Sequence, residues 1–387
     1  MSFYQIITLG SLDQRFDAFM KELDTRTQEL GLSVSDFVFM NESDFPKYDR
    51  IKPAVAVYFG DAELSPASPF LNKLLADSIV VIPVVSSRIF VENEIPAKLT
   101  HINALELSQD SDSLSRLVSL VLENFRLLRK ERGIFISYRR KGSQPLANRL
   151  YEELDKRGFD VFIDIRSVPP AVDFQEELWH RMSNVDVIVL IDTPGFREGR
   201  WTSAELANAN LLGIQTLHLL WPGQTEDSAF AFSRFMKLEI SDFKGASAGR
   251  GATIKDSVLK SICDRAEQLR AQATALRYAH LVDNFCDAAR DIGLDPIVQP
   301  ERWISLDLAG NSLAVVPAVG RPTSERINTI FDSINSDRDV CDPIWVIYDS
   351  RGLHKRWIEH LRWLDSHLPI RNLCMSEVPA ALQDLIR

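Results

Sequence analysis

Short apolar runs alternate with longer segments of helical periodicity along most of the chain. The run YQIITLG is followed by a helical pattern over residues 12–31, and further apolar runs occupy residues 54–61 and 78–87. Buried strands joined by amphipathic helices are typical of βαβ units, in which a parallel sheet is covered on both faces. The pattern therefore predicts an α/β protein made of three α/β units, with a mostly parallel sheet where βαβ units follow one another.

Two changes in the pattern predict the domain boundaries. A helix over residues 113–130 is expected to close the first unit, because its apolar positions follow a 3.6-residue period and its last turn is basic. A second alternating series ends at FKGASAGRGA, residues 243–252, which has the composition of a linker. We expect an N-terminal α/β domain of unknown role over residues 1–130 and a central domain over 131–245. Residues 253–387 would form a helical and then α/β domain with a sensory or oligomerising role.

The helical pattern that opens the C-terminal domain contains a short apolar seam. Ile262, Ala266, Leu269, Ala273 and Leu276 are separated by 4, 3, 4 and 3 residues. This is the spacing of a coiled-coil seam, although it lasts for only about two heptads. Two interpretations remain open: a helix that associates with a second chain, and a helix that packs on its own domain.

Composition and charge narrow the classes of function. With 45% hydrophobic and 25% charged residues, the chain is typical of soluble globular proteins. The formal net charge of -10 argues against a broad nucleic-acid interface, so no nucleic-acid partner is predicted. The apolar runs are far shorter than the roughly 20 residues that span a bilayer, and the N-terminus lacks the pattern of a signal peptide. We therefore predict a cytoplasmic protein without a membrane partner.

The spacing of cysteine and histidine residues gives no support for a metal site. Cys263, Cys286, Cys341 and Cys374 form no C-x-x-C pair, and the seven histidines show no H-x-x-x-H or H-E-x-x-H spacing. Buried free thiols in a reducing compartment are the simplest interpretation. We predict no bound metal and no redox motif.

An ordered set of motifs in the central domain resembles the TIR (Toll/interleukin-1 receptor) domain of the bacterial kind. A strand ending in FISYRR is followed by the helical LANRLYEELDKRG, the short strand VFID and the loop IRSVPPAVDF. The strand VDVIVLID then precedes a helix that starts near Trp201 and Glu205. The resemblance covers about a quarter of the chain, and the order of the motifs makes it specific. It implies a flavodoxin-like fold with a mainly parallel sheet for this domain.

The expected site lies at one edge of the central sheet. Ligands of such folds bind beyond the carboxyl ends of the parallel strands, and the resemblance selects the same edge. The predicted strand ends bring six candidate residues there: Ser137, Tyr138, Arg139, Asp164, Trp201 and Glu205. Glu205 is the candidate catalytic residue, and the other five are candidates for binding the substrate.

The resemblance implies cleavage of NAD between nicotinamide and ribose, with NAD as the substrate and no cofactor. Enzymatic members of the family use a glutamate in a W-x-x-x-E pattern, and Glu205 matches that position. Neutral nicotinamide leaves from a cationic pyridinium, so the leaving group needs no general acid. An anion beside the oxocarbenium-like sugar stabilises the transition state. Trp201, one turn earlier, would form an apolar wall or stack on a ring. The basic residues 139–141 would bind the pyrophosphate.

The same glutamate also has a structural interpretation. Residues 202–205, Thr-Ser-Ala-Glu, fit the capping box, in which Thr202 caps a helix and Glu205 bonds back to the threonine N–H. Both roles can coexist, because a capping glutamate is held in one rotamer, which suits a preorganised site.

Two functions are open to a domain of this family. The first is hydrolysis or cyclisation of NAD by a gated effector of bacterial anti-phage defence, activated by self-association or by an unknown ligand or partner protein. The second is a non-catalytic assembly module in a signalling complex. Gly199 stands where bacterial relatives usually have a small hydroxyl residue, a departure that weakens ligand contacts there. Pro169 and Pro170 stiffen a loop that in the family joins TIR domains, and they equally fit a plain loop stop.

Overall fold

The computed structural model contains three five-stranded sheets in the part of the chain that it describes. The described residues are 3–61, 67–107, 111–163, 177, 180–196, 209, 212–230, 233–249, 251–308, 311–336 and 343–385. The chain divides into two compact units, residues 1–130 and 131–387. Within the described ranges, no helix is both long enough and apolar enough to span a bilayer.

The N-terminal unit is built on one parallel sheet. Its strands are β1 (Tyr4–Gly10), β2 (Phe37–Met40), β3 (Ala54–Phe59), β4 (Val80–Val85) and β5 (Leu105–Glu106). Its helices are α1 (Gln14–Glu29), α2 (Pro69–Ala76), α3 (Val91–Glu94) and α4 (Ser111–Asn124). The strand order is β2-β1-β3-β4-β5, and every neighbouring pair is parallel. The apolar runs of the sequence form β1, β3 and β4, which are almost entirely buried.

The last helix of this unit is shorter than the sequence predicts. We expected a helix over residues 113–130, but α4 ends at Asn124. Arg126 takes a left-handed backbone conformation with a φ of 59°, which a continuing right-handed helix cannot contain. The prediction was wrong because the apolar period continues to Leu128, which stays buried although the helix has already ended.

The central sheet consists of five parallel strands. They are β6 (Gly133–Tyr138), β7 (Asp160–Ile163), β8 (Val185–Asp192), β9 (Gln215–Leu220) and β10 (Arg234–Lys237). Their order is β10-β9-β8-β6-β7, and helix α5 (Arg140–Lys156) joins β6 to β7. This is the order of a flavodoxin-like sheet, so the predicted fold class is confirmed. The N-terminal sheet has the same order, although the sequence shows no repeat of fixed period.

A 35-residue helix, α6 (Asp256–Arg290), connects the central sheet to the C-terminal sheet. Its first half packs into the central core through five buried side chains: Leu259, Ile262, Cys263, Ala266 and Leu269. Its second half packs into the C-terminal core through five others: Leu281, Val282, Phe285, Cys286 and Ala289. The helix is therefore an outer helix of both folds at once.

The apolar seam of this helix is used within the chain. Ile262, Ala266, Leu269 and Ala273 are each at most 1% exposed, whereas Leu276 is 56% exposed. The seam is buried against the central domain, so the coiled-coil interpretation was wrong. The helix instead packs within its own chain, where it covers both the central sheet and the C-terminal sheet.

Residues 243–249, 251 and 252 are anchored to the central domain, where the composition predicted a linker. Phe243 is 1% exposed, and its ring centroid lies 4.7 Å from that of Trp221. The indole Nε1 of Trp221 donates to the carbonyl of Ala248 at 2.9 Å, and Phe243 forms a β-bridge with Ile254. One buried aromatic side chain anchors a segment whose small residues let it lie close to the domain.

The C-terminal sheet is mixed. Its strands are β11 (Ile297–Val298), β12 (Ile304–Leu308), β13 (Asn311–Pro317), β14 (Ile344–Tyr348) and β15 (Arg371–Cys374). Its further helices are α7 (Ser324–Ser336), α8 (Lys355–Asp365) and α9 (Val378–Leu385). The strands follow chain order; β11, β12 and β13 pair antiparallel, and β13, β14 and β15 pair parallel. Helices α7 and α8 cover one face, and α6 and α9 cover the other.

Candidate functional site

The carboxyl ends of three central strands lie side by side at one edge of the sheet. In the parallel register Ser137 pairs with Leu190, and Tyr138 pairs with Ile191. The last residue of β8, Asp192, pairs with the last residue of β9. The turn that follows β8 therefore lies beside the point where β6 passes into α5.

Three of the candidate residues stand at the end of β6. Ser137 is buried, Tyr138 is half-buried against the central core, and Arg139 is exposed at the N-cap position of α5. Side chains alternate along a strand, so Ser137 and Tyr138 point to opposite faces of the sheet. Ser137 shares its face with Phe135, which belongs to the core cluster that also contains Ala209.

The guanidinium of Arg139 lies against the turn that follows β8. Its Nη1 donates to the carbonyl of Pro194 at 2.7 Å, and the amide of Phe196 closes the turn on the carbonyl of Thr193 at 2.8 Å. Gly195 has a φ of 79°, and a Cβ at this position would overlap with Nη1 of Arg139. Glycine is therefore required for the close approach, which holds a cation at the edge of the sheet.

A buried acid–histidine pair lies at the same strand ends. Asp192 Oδ2 and His218 Nε2 are 3.0 Å apart, and both side chains are fully buried. The ring of His218 lies edge-on to that of Phe230, with the centroids 4.9 Å apart. Because a buried carboxylate requires a close partner, this pair fixes the end of β8 against β9. The sequence does not single out this pair, because Asp192 is one of two aspartates in β8 and His218 is one of three polar residues in β9.

Other candidate residues lie outside the described part of the chain, so no geometry is assigned to them. They are Asp164, Pro169, Pro170, Gly199, Trp201, Thr202 and Glu205. The described residues that flank the W-x-x-x-E segment, Phe196 and Ala209, both lie in the core cluster on the Ser137 face of the sheet.

The described residues contain no group of three His, Cys, Asp or Glu side chains arranged to hold a metal ion. Cys263, Cys286 and Cys374 are free and buried, and burial raises the pKa of the Cys286 thiol. Cys341 lies outside the described residues. The three described thiols thus match the interpretation drawn from cysteine spacing.

Comparison with known proteins assigns a family to the central domain. Residues 134–242 match the family model of the TIR domain, so the resemblance found in the motifs is confirmed for this part of the chain. A curated relative is the 2' cyclic ADP-D-ribose synthase BtTIR of Bacteroides thetaiotaomicron, which is 24% identical over 146 residues. The aligned region covers 37% of this chain and 50% of the relative, so the chain spans about half the length of that protein.

Similar solved structures share little with the whole chain. A periplasmic ribose ABC transporter from Conexibacter woesei is 14% identical, with 59% of this chain and 76% of that one covered, at a TM-score of 0.19. The C-terminal domain of glucosamine-fructose-6-phosphate aminotransferase from Francisella tularensis is 10% identical, with 71% and 84% covered, at a TM-score of 0.19. Scores this low carry no argument about fold or function.

Proposed function

We propose that the central TIR domain cleaves NAD at the bond between nicotinamide and ribose. The observation that carries the proposal is the match of residues 134–242 to the TIR domain. The similarity to a relative named as a 2' cyclic ADP-D-ribose synthase supports it and favours a cyclic product over linear ADP-ribose. NAD is then the substrate, and the reaction needs no separate cofactor.

The proposed site has three parts. A carboxylate acts on the reacting sugar, and an apolar wall and a cation bind the rest of NAD. Glu205 would place its negative charge beside the ribose as nicotinamide leaves and the sugar becomes oxocarbenium-like. Trp201 would pack against a ring of the substrate, and Asp164 would lie at the neighbouring strand end. Electrostatic stabilisation by a fixed carboxylate lowers the barrier because the positive charge on the sugar develops only in the transition state.

The cation in this proposal is Arg139. A guanidinium carries five N–H donors in a rigid fork, so the bond to Pro194 orients the group without using all of its donors. An oriented guanidinium at the carboxyl edge of a parallel sheet suits a pyrophosphate, which accepts bidentate hydrogen bonds. Ser137 and Tyr138, at the end of the same strand but on opposite faces of the sheet, would reach the substrate from different sides of Arg139.

We further propose that the activity is gated in a cytoplasmic effector of bacterial anti-phage defence. An enzyme that constantly consumed NAD would harm its own cell, so an activating step is needed. Self-association of the central domain, an unknown ligand or a partner protein would supply that step. The flanking domains are the parts of the chain that have no other assigned role.

The test is the release of nicotinamide from NAD by the full chain and by Glu205→Gln. Incubations include crowding agents, so that a missing activator does not hide the activity. We expect the wild-type chain to release nicotinamide and the variant to lose release. The melting temperature should be unchanged, because glutamine also serves at the third position of a capping box. A variant with normal turnover would remove the catalytic role from Glu205. A wild-type chain that stays inactive when concentrated and crowded would favour the non-catalytic assembly module.

A further inference from the structure

In the described part of the chain, two different attachments join the central domain to the C-terminal sheet. The first is α6, whose halves are buried in the two cores. It is reinforced by the ion pair between Arg132 and Glu267, whose side chains are 3% and 4% exposed. Apolar burial on both sides makes this attachment permanent under conditions in which the protein stays folded.

The second attachment is polar and is built around one histidine. The loops that follow β13 and β14 reach Glu177 and residues 180–184 of the central domain. Arg321 Nη1 lies 2.8 Å from His180 Nε2, and the backbone amide of His354 lies 3.2 Å from His180 Nδ1. His354 Nε2 lies 3.1 Å from Glu177 Oε2, and the two imidazole rings stack with centroids 4.1 Å apart. We call Glu177, His180, Arg321 and His354 the His180 cluster.

Two donors face the ring of His180, which can accept only one hydrogen bond through its nitrogens. A guanidinium and a backbone amide are both obligate donors, and they face the two ring nitrogens of His180. A neutral imidazole offers one acceptor nitrogen, because the other nitrogen carries a hydrogen. One of the two contacts therefore sets a donor against a donor. The one hydrogen bond that the ring accepts exists only while His180 is neutral. Protonation of the ring would remove this last acceptor.

We propose that the His180 cluster is a releasable latch between the central and C-terminal domains, opened by protonation of His180, with α6 as the hinge. The hinge region is the part of α6 between the two cores. Its side chain Leu276 is 56% exposed, whereas Leu269 before it and Leu281 after it are buried in different cores. Opening the latch would expose the ring and the loops while α6 keeps the domains joined.

The charges around the ring set the sign of the pH dependence. Burial, with Arg321 and His354, lowers the pKa of His180 to about 4, while Glu177 opposes this shift and Arg181 adds to it. Because the pKa of His180 is lower in the closed state, the closed state is most favoured at pH values above the ordinary histidine pKa of 6.5. Closure then weakens as the pH falls from 6.5 towards 4. Over that window the ratio of open to closed latch would rise by at most about a hundredfold.

The latch also bears on the proposed activity, and this step alone rests on the proposed function. The described residues that the latch contacts, 177 and 180–184, precede β8. The turn that follows β8 accepts the hydrogen bond from Arg139. The residues before position 177 form the loop that the resemblance assigns to contacts between TIR domains. Holding the residues that the latch contacts restrains the central domain, so an open latch would raise NAD cleavage.

The test measures amide hydrogen exchange in the full chain, with Arg321→Met as the opening variant. Arg362→Met is the matched control, because Arg362 is an exposed arginine of the same domain that pairs with Glu377. At pH 7.5 we expect the amides of residues 180–184, 319–321 and 323 to lose protection by tenfold to a hundredfold in Arg321→Met, the effect of one charge-assisted bond. The control should match the wild type, and α6 should stay protected in all three proteins.

A second comparison follows the dependence of protection on pH. In the wild type, protection of the amides of residues 319–321, 323 and His354, corrected for intrinsic exchange, should fall between pH 7 and pH 5. In His180→Gln, which cannot be protonated there, protection should be constant over the same range. Unchanged protection in Arg321→Met, or an equal acid response in His180→Gln, would overturn the latch.

Nicotinamide release separates the latch from the proposed function. Faster exchange together with at least about tenfold higher nicotinamide release in Arg321→Met would support both the latch and NAD cleavage. Faster exchange without release from any protein, the concentrated wild type included, would leave the latch standing and refute NAD cleavage. Faster exchange in a variant no more active than an active wild type would refute the restraint on activity.

Discussion

The strongest energetic prediction concerns the ion pair between Arg132 and Glu267, which ties the start of β6 to the middle of α6. Both side chains are nearly fully buried, and the guanidinium of Arg132 also lies 4.6 Å from the ring centroid of Phe159. Glu267→Leu removes the carboxylate and leaves a buried cation without this counter-charge. Such a loss costs about 3–5 kcal/mol.

Replacing both charges should cost far less. In the double variant Arg132→Met, Glu267→Leu, side chains of similar length fill the same space and no charge is buried. Swaps of this kind are often neutral or stabilising. We therefore expect the double variant to recover most of the loss, with a coupling free energy of about 3 kcal/mol or more between the two sites.

Native-state hydrogen exchange in β8 and α6 is the appropriate assay, because it reports the opening of this core separately from the other domains. Asp256→Leu is the matched control, since Asp256 lies on the same helix and pairs with Arg149 at an exposed site. The control should leave the exchange of β8 nearly unchanged. A Glu267→Leu chain with wild-type opening would refute the reasoning, as would a double variant destabilised by the sum of the single effects.

Two further predictions address the site. Arg139→Ala should raise the KM for NAD by tenfold to a hundredfold with a smaller change in kcat, because a pyrophosphate contact is similar in the ground and transition states. An unchanged KM with a collapsed kcat in steady-state kinetics would assign the residue to holding the Pro194 turn. Specific activity should rise steeply with protein concentration, with self-association seen by sedimentation. Leu276→Glu should leave that rise intact, because the other four seam residues are buried within the chain and self-association is proposed for the central domain. A monomer with flat activity over a hundredfold range of concentration would contradict self-association.

Strands buried on both faces could be predicted from the sequence, whereas edge strands could not. The runs that became β1, β3, β4, β6 and β8 are apolar at nearly every position, which distinguishes them from the amphipathic helices around them. The two-residue strands β5 and β11 are too short to carry that signal, and the four apolar residues of β2 form a run shorter than those of the inner strands. Short strands at the margin of a sheet are defined by pairing with a neighbour, which local sequence does not encode.

The linker and the helix seam were misread for a related reason. A run of small residues predicts flexibility, but Phe243 anchors that segment to Trp221, a contact between distant parts of the chain. The 4, 3, 4, 3 spacing correctly predicted one buried helix face. Which partner covers that face is decided by the tertiary fold, so the sequence left both interpretations open.

The candidate site could be placed at a sheet edge, but its contacts could not. The rule for parallel sheets brought Ser137 and Arg139 to the carboxyl edge, where the structure has them. The bond from Arg139 to Pro194 depends on a left-handed glycine in a turn 55 residues away along the chain. The contact of His180 with His354 joins residues 174 positions apart, beyond any motif spacing.

The shared helix α6 also has an evolutionary consequence. Most multidomain proteins can exchange modules by recombination, because each module brings its own core. Here a crossover within α6 would leave the central domain without its outer helix, or leave the C-terminal sheet without one of the two helices that cover one of its faces. The two domains must therefore descend, duplicate and diverge as one heritable unit. The N-terminal unit, which is complete by residue 130, is the part that a lineage can replace or lose.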